Sequence, residues 1–262
     1  MSERYGLIGK NISFSKSPKI HKFMGKHLGL DITYDLLDVE EQELSHLVKQ
    51  LRSGFYKGFN VTIPYKQTIM NFVDELTNKA KRIQAINTLY MRNGKVIGDN
   101  TDYDGFMGLL RTNQIEVKDK RVFILGNGGA AKAAYVALVD MEAKVTVVSR
   151  KITDLDPMFK RVVSYEYLNP RDVDIYVQAT PMGTFPNIKD SILPKEHVAN
   201  KTVIDLVYNP EITQIMKYCK QPIGGLNMLI IQAIKSEEIW FGRKIELTDE
   251  LISQLKEVIY HE

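Results

Sequence analysis

The stretch "VFILGNGGAAKAA", residues 122–134, decides the fold. Four apolar residues end at Gly126, Gly128 and Gly129 follow, and an alanine-rich run takes over. The apolar run fits a buried strand and the alanine run a helix. Glycines at such a junction permit a tight turn and let backbone N–H groups approach a pyrophosphate at the positive helix end. The spacing is G-x-G-G-x-x-x-A, not G-x-G-x-x-G. On the loop alone, a glycine-rich βα turn that binds nothing is therefore the alternative.

Working outward, "KVTVVS", "IYVQAT" and "TVIDLV" are short and nearly all apolar. Strands of that kind belong to a parallel sheet covered on both faces. Upstream, "YGLIG" predicts a strand and "SPKIHKFMGKHLG" a helix with Pro18 in its first turn. "ITYDLLDV" predicts a second strand, residues 40–52 an amphipathic helix, and "GFNVTI" a third strand. "NTLYMRNGKVIGDN" reads as two strands turning at Asn93-Gly94. Downstream, "GLNMLIIQAIKSEEIW" predicts a strong helix and a last helix starts near Asp249. Strands alternating with helices make the expected class α/β. The rhythm changes near residues 100–120, which divides the chain into an N-terminal open α/β domain, 1–102, completed by helices in 226–262, and a second domain, 103–225.

The bulk numbers agree with that plan. A chain of 262 residues suffices for two modest domains. Hydrophobic residues make up 44% and charged ones 26%, an ordinary globular balance. A net charge of +3 is too small to argue for nucleic acid. Cys219 is the only cysteine, which excludes an internal disulfide and points to a reducing compartment. The opening "MSERYGLIGK" lacks a signal-peptide core, and no apolar run approaches the roughly 20 residues that span a bilayer. A soluble cytoplasmic protein is expected. The five histidines, at 21, 27, 46, 197 and 261, form no metal-ligand spacing, so no metal is expected.

A little over twenty residues beyond the glycine loop, the next strand ends in Ser149, Arg150 and Lys151. A carboxylate there would select the ribose 2′-hydroxyl of NAD, whereas a guanidinium holds a 2′-phosphate through charge-assisted hydrogen bonds. The corner predicts NADP, with a solvated basic turn as the alternative, above all for Lys151. "GFNVTIPYK", residues 58–66, ends with a lysine just after a strand. Pro64 at a first helical position would make Lys66 an early-helix residue, where a positive charge opposes the dipole. Most such lysines are simply exposed. In "GDNTDYDGF", Thr101 and Asp104 fit a capping box, with Asp102 an ordinary first-turn acid. Neither residue alone declares catalysis.

Together with their neighbours they are similar to a known family. "SKSPKIH", "NVTIPYK", "AINT", "GDNTD", "GNGGAAKA", "QATPMG", "DLVYNP" and "GLNMLIIQA" resemble, in order, the signatures of the shikimate dehydrogenases. The resemblance covers nearly the whole chain. It implies a substrate-binding N-terminal domain and a Rossmann-type NADP-binding domain separated by a cleft that closes on a hinge. It implies Lys66 and Asp102 as the catalytic pair, acting in NADPH-dependent reduction of 3-dehydroshikimate to shikimate in aromatic amino acid biosynthesis. Ser15 and Ser17, with Tyr208 nearby, would hold the substrate carboxylate, and Thr62, Asn87 and Gln232 its hydroxyls. The cofactor would meet Gly126, Asn127, Gly128, Gly129, Ala130, Ser149, Arg150, Lys151, Thr180, Met182, Gly225 and Met228. Met228 and Gln232 are four apart, on one face of a helix. The implied partners are small molecules, with no nucleic acid and no membrane, for a monomer or homodimer.

Five positions depart from the family pattern: Gln84 for a glycine, Tyr103 after Asp102 for a glycine, Asn127 for a small residue, Gln178 for an asparagine and Glu237 for an aromatic. Tyr103 and Gln178 bear on substrate scope and cofactor grip. A quinate/shikimate dehydrogenase is the nearest alternative, and the Arg150 corner counts against its usual NAD preference. A catalytically silent dinucleotide sensor would be expected to lack Lys66 or Asp102.

Overall fold

The computed structural model describes residues 2–150 and 156–261. In chain order the elements are β1 (Glu3–Gly9), α1 (Ser17–His27), β2 (Ile32–Asp38), α2 (Leu44–Arg52), β3 (Gly58–Val61), β4 (Glu75–Leu76), α3 (Asn78–Ile83), β5 (Thr88–Arg92), β6 (Lys95–Asp99), α4 (Asp102–Thr112), β7 (Arg121–Leu125), α5 (Gly129–Asp140), β8 (Lys144–Val148), β9 (Val162–Val163), β10 (Ile175–Gln178), α6 (Lys195–Val198), β11 (Thr202–Asp205), α7 (Gln214–Tyr218), β12 (Gln221–Gly224), α8 (Leu226–Phe241) and α9 (Asp249–His261). The chain divides into two compact units, 1–105 with 230–262 and 106–229, both breaks falling inside helices, α4 and α8.

The first unit has a six-stranded sheet ordered β2-β1-β3-β5-β6-β4. β1 pairs in parallel with β2 and β3, while β5 runs antiparallel to both β3 and β6, with which it forms a hairpin. The hairpin turns at Asn93 and Gly94, whose φ values of 52° and 75° suit a two-residue loop. Strand alternation sorts the faces. Ile8, Phe59, Val61 and Leu89 pack with Leu44, Leu47, Val48 and Leu51 of α2, the i, i+3, i+4, i+7 stripe of an amphipathic helix. Burying each such side chain stabilises the fold by roughly 1.5–3 kcal/mol. On the other face, Tyr5, Leu7 and Tyr34 pack with Trp240 and Phe241 of α8, Tyr5 stacking on Trp240 at 4.8 Å. α9 lies against α1 and buries Leu251, Ile252, Leu255 and Ile259.

The second unit has an all-parallel sheet ordered β12-β11-β10-β7-β8-β9. Read from its first strand, β7, this is the doubly wound order 3-2-1-4-5-6. β7 and β10 are buried at nearly every position, and α5 buries every residue from Ala131 to Leu138, as the apolar runs predict. No helix among the described residues is long and apolar enough to cross a membrane.

Candidate active site

In the first unit β1 leads to β2 on one side and β3 lies on the other, so the strand order switches between β1 and β3. Open α/β sheets place ligands beyond the carboxyl ends of strands at such a point. Gly9 closes β1 there. A Cβ on it would stand 2.6 Å from Ile12 Cγ2 and 2.6 Å from Thr62 Cγ2, so only glycine lets the strand end lie against Thr62. After β3, residues 63–67 form a turn closed by the Tyr65 N–H to the Thr62 carbonyl and the Ile69 N–H to the Tyr65 carbonyl, ahead of a short 3-10 helix, Thr68–Phe72. Lys66 is therefore not the early-helix residue expected from Pro64. Its carbonyl instead accepts the Ile86 N–H at 2.8 Å, tying the turn to the segment before β5.

The β5–β6 hairpin returns the chain to the same place. Asn87, just before β5, donates its N–H to the Asp99 carbonyl at 3.0 Å, and Asp102 follows three residues after Asp99. The Asn100 side chain accepts the Asp102 N–H at 3.0 Å. Two residues 15 apart thereby meet: Asn87 Nδ2 donates to Asp102 Oδ1 at 2.9 Å. The other oxygen, Oδ2, receives Lys66 Nζ at 2.5 Å. The side chains of this ion pair are 15% and 8% exposed. Asn87 Nδ2 also reaches Gln232 Oε1 at 3.3 Å, and Asn87 Oδ1 accepts the Thr101 N–H at 2.7 Å. The Thr101 hydroxyl joins the same network, and the Asp104 carboxylate pairs with Lys79. Networks of this density hold their members in one geometry. The result is an ammonium aimed by a carboxylate whose own orientation is pinned.

Ser15 and Ser17 stand at the start of α1. The Ser15 hydroxyl donates to Ser17 Oγ at 3.3 Å and accepts the Ser17 N–H. Burial drives the pKa of the Tyr34 phenol well above its ordinary value, with Ser17 pulling it back. Of the expected catalytic and substrate residues, Lys66, Asp102, Asn87 and Gln232 are thus linked directly, Ser15 pairs with Ser17, and Thr62 lies against Gly9. Tyr208 is half-buried on the loop after β11, in the second unit.

In the second unit the strand order switches between β7 and β10. Gly126 follows β7 with φ +108°, in the region that favours glycine, and a Cβ there would be 2.9 Å from Thr180 Cγ2. A Cβ on Gly128, by contrast, would meet nothing within 4 Å. Asn127 and Gly128 are exposed, and Gly129 and Ala130 open α5, whose first turn carries no acid. Open space in front of a helix N-terminus without carboxylates fits a phosphate-bearing ligand. At the end of β8, Ser149 is buried and Arg150 exposed, while Lys151 lies outside the described residues. Burial pushes the Tyr165 phenol up to about 12, with the nearby Arg150 guanidinium pulling it back. An exposed guanidinium at the end of β8 has the chemistry to meet the 2′-phosphate of a dinucleotide. Thr180 and Met182 follow β10, Gly225 precedes α8, and Met228 is buried in it.

Over 270 aligned residues the chain is 39% identical to the shikimate dehydrogenase (NADP(+)) of Clostridium beijerinckii, covering 99% of both chains. The chain belongs to the shikimate dehydrogenase family. The shikimate dehydrogenase substrate binding domain matches residues 7–89. Among solved structures, shikimate dehydrogenase 1 of Peptoclostridium difficile superposes with a TM-score of 0.90 at 34% identity over 98% of each chain. The Thermus thermophilus shikimate 5-dehydrogenase, solved with NADP(H) and shikimate, gives 0.87 at 29% identity, again over 98% of each.

Several departures from the shikimate dehydrogenase pattern acquire physical meaning. Gln84 caps α3 in the left-handed region at φ 56°, the conformation glycine adopts without cost. Gln178 is fully buried, and its amide folds the loop after β10: Oε1 accepts the Thr180 N–H and hydroxyl, and Nε2 donates to the carbonyls of Thr180 and Met182. The extra methylene over asparagine still satisfies the loop. Sequence reasoning missed Asn60, Thr88 and Ser236 as parts of the site. Asn60 Nδ2 donates to Ser236 Oγ at 2.8 Å, and Ser236 Oγ bonds Thr88 and Thr101. The available signal was a single polar residue inside the otherwise apolar strand "GFNV".

Proposed function

We propose that the protein is an NADP-dependent shikimate dehydrogenase that interconverts 3-dehydroshikimate and shikimate in aromatic amino acid biosynthesis. Residues 1–102, completed by 226–262, bind the substrate, and residues 103–225 bind the dinucleotide. The observation that carries this reading is the Lys66–Asp102 ion pair, mostly buried and oriented by Asn87. Reduction of a ketone adds a hydride to carbon and a proton to oxygen, and NADPH supplies the hydride. Lys66 hydrogen-bonds the carbonyl oxygen, stabilises the negative charge that grows on it and delivers the proton. Asp102 holds the ammonium in line for that transfer. In the reverse direction the same pair takes up the hydroxyl proton. Ser15, Ser17 and Tyr208 bind the carboxylate, and Thr62, Asn87 and Gln232 the ring hydroxyls.

Gly126, Asn127, Gly128, Gly129 and Ala130 cradle the pyrophosphate, and Ser149, Arg150 and Lys151 the 2′-phosphate. Thr180, Met182, Gly225 and Met228 line the remainder of the cofactor. The protein acts in the cytoplasm as a monomer or homodimer. The test is to follow NADPH formation with shikimate and with quinate side by side, and to repeat both with NAD. Shikimate with NADP is expected to give the highest kcat/KM. Absence of turnover with shikimate would refute the function, and a higher kcat/KM with NAD would refute the role of Arg150.

A further inference from the structure

His21 and Glu237 form a buried hydrogen-bonded pair that the proposed chemistry does not use. Both residues are 0% exposed, and His21 Nδ1 lies 2.7 Å from Glu237 Oε1. Burial pushes the Glu237 carboxyl up, opposed by the hydrogen bond from His21. His21 Nε2 and Glu237 Oε2 have no partner among the described residues. A buried pair satisfied on one side only is a weak source of stability, and apolar side chains of the same volume would serve at least as well. What the pair adds is direction.

Its surroundings show what it directs. The His21 ring stacks on Tyr34 at 4.2 Å with a 17° tilt. The Tyr34 phenol donates to Asn60 Oδ1 at 2.8 Å, and Asn60 donates to Ser236, the neighbour of Glu237. The circuit His21–Tyr34–Asn60–Ser236–Glu237 therefore closes on itself and joins α1, β2, β3 and α8. Ser17 stands one turn before His21 on α1, and Gln232 one turn before Ser236 on α8. Apolar packing tolerates small shifts of a helix along its axis, whereas a directional hydrogen bond narrows its register further. We propose that His21 and Glu237 are positioning residues that set the distance between Ser17 and Gln232, and so match the site to a rigid substrate bearing a carboxylate at one end and hydroxyls at the other. This inference rests on the substrate roles proposed above for those two residues.

The experiment compares the unaltered protein with Glu237→Leu, Glu237→Gln and Tyr34→Phe. Shikimate and NADP affinities are measured separately by calorimetry, together with kcat, KM and a thermal melt. A misplacement near 1 Å costs up to about 100-fold in a preorganised site. Glu237→Leu is expected to weaken shikimate binding by about 10-fold or more, with NADP affinity unchanged. Glu237→Gln keeps the shape and should recover most of that loss. Tyr34→Phe, which opens the circuit at Asn60 without altering charge, should weaken shikimate binding by about 3–10-fold. General damage would move both affinities together. If Glu237→Leu does not fold, Glu237→Gln and Tyr34→Phe decide. Folded variants that all bind shikimate within about twofold of the unaltered protein overturn the inference alone. Failure of the unaltered protein to bind shikimate overturns the proposed function and this inference with it.

Discussion

At the carboxyl end of its sheet the first unit gathers buried side chains that bond one another: Lys66, Asp102, Asn87, Thr101, Thr88, Ser236 and Asn60. The corresponding end of the second unit presents backbone and exposed groups: Asn127, Gly128, a helix start without acids, and Arg150. The difference suits the roles proposed above. Proton transfer needs donor and acceptor held to fractions of an ångström, which a saturated network provides. A dinucleotide is gripped along its phosphates by N–H groups and one guanidinium, and those must be left open to receive it.

The comparison breaks first at Lys66. Lys66→Ala should lower kcat by at least ~100-fold, in line with typical acid–base contributions. A variant with nearly full turnover would remove the first unit from the chemistry. Arg150→Ala should lower kcat/KM for NADP by about 10–100-fold and leave NAD nearly untouched, because a charge-assisted pair to phosphate is worth about 1.5–3 kcal/mol. Equal losses with both cofactors would mean that Arg150 does not read the phosphate.

Among its described residues the second unit holds one buried acid, and its pH response is the opposite of a paired surface carboxylate. Asp205 is fully buried, accepting the Val207 N–H and the Thr213 hydroxyl. Burial pushes its pKa from 3.8 up to about 6, against those two hydrogen bonds. Between those values the folded chain holds a proton that the unfolded chain has released. Stability from this group therefore falls as pH rises from about 4 to about 6, then stays level. Asp205→Asn should abolish that slope and be more stable than the parent above about pH 6, by roughly 1–3 kcal/mol in denaturant titrations. An unchanged slope would place the titration elsewhere. The smallest effect is expected at Thr77, which caps α3 by accepting the Ala80 N–H and donates to Asp99. Thr77→Ala should cost about 1 kcal/mol of stability and leave kcat within about twofold. A larger fall in kcat would extend the rigid network of the first unit beyond the site.

The parts that were legible from sequence are those whose signal is local. The glycine loop, the Asn93-Gly94 turn and the periodic stripes of α2 and α9 each carry their own instructions. Lys66 and Asp102 were legible only through the ordered motifs around them, since locally each looked like a surface charge. β4 and β9 have two residues each, and β12 contains Pro222. Such strands exist because a neighbouring ladder recruits them, and proline is tolerated because β12 is at the sheet edge. The His21–Glu237 pair joins residues 216 apart, so no window on the chain could reveal it. The turn at Lys66 is not legible locally, because Pro64 suits a helix start equally well and the bond that ties the turn down comes from Ile86.

The β5–β6 hairpin has an evolutionary consequence. Asn87 and Asp102 sit at its open end, with Thr88 opposite Asp99, and every residue toward Asn93-Gly94 only adds rungs. Insertions or deletions made in matched pairs at the tip would change the loop's outline and leave the open end undisturbed. A lone insertion in one arm would instead invert the facing of every side chain between it and the base. The tip is thus where this chain can vary in length freely, and the arms are where it cannot.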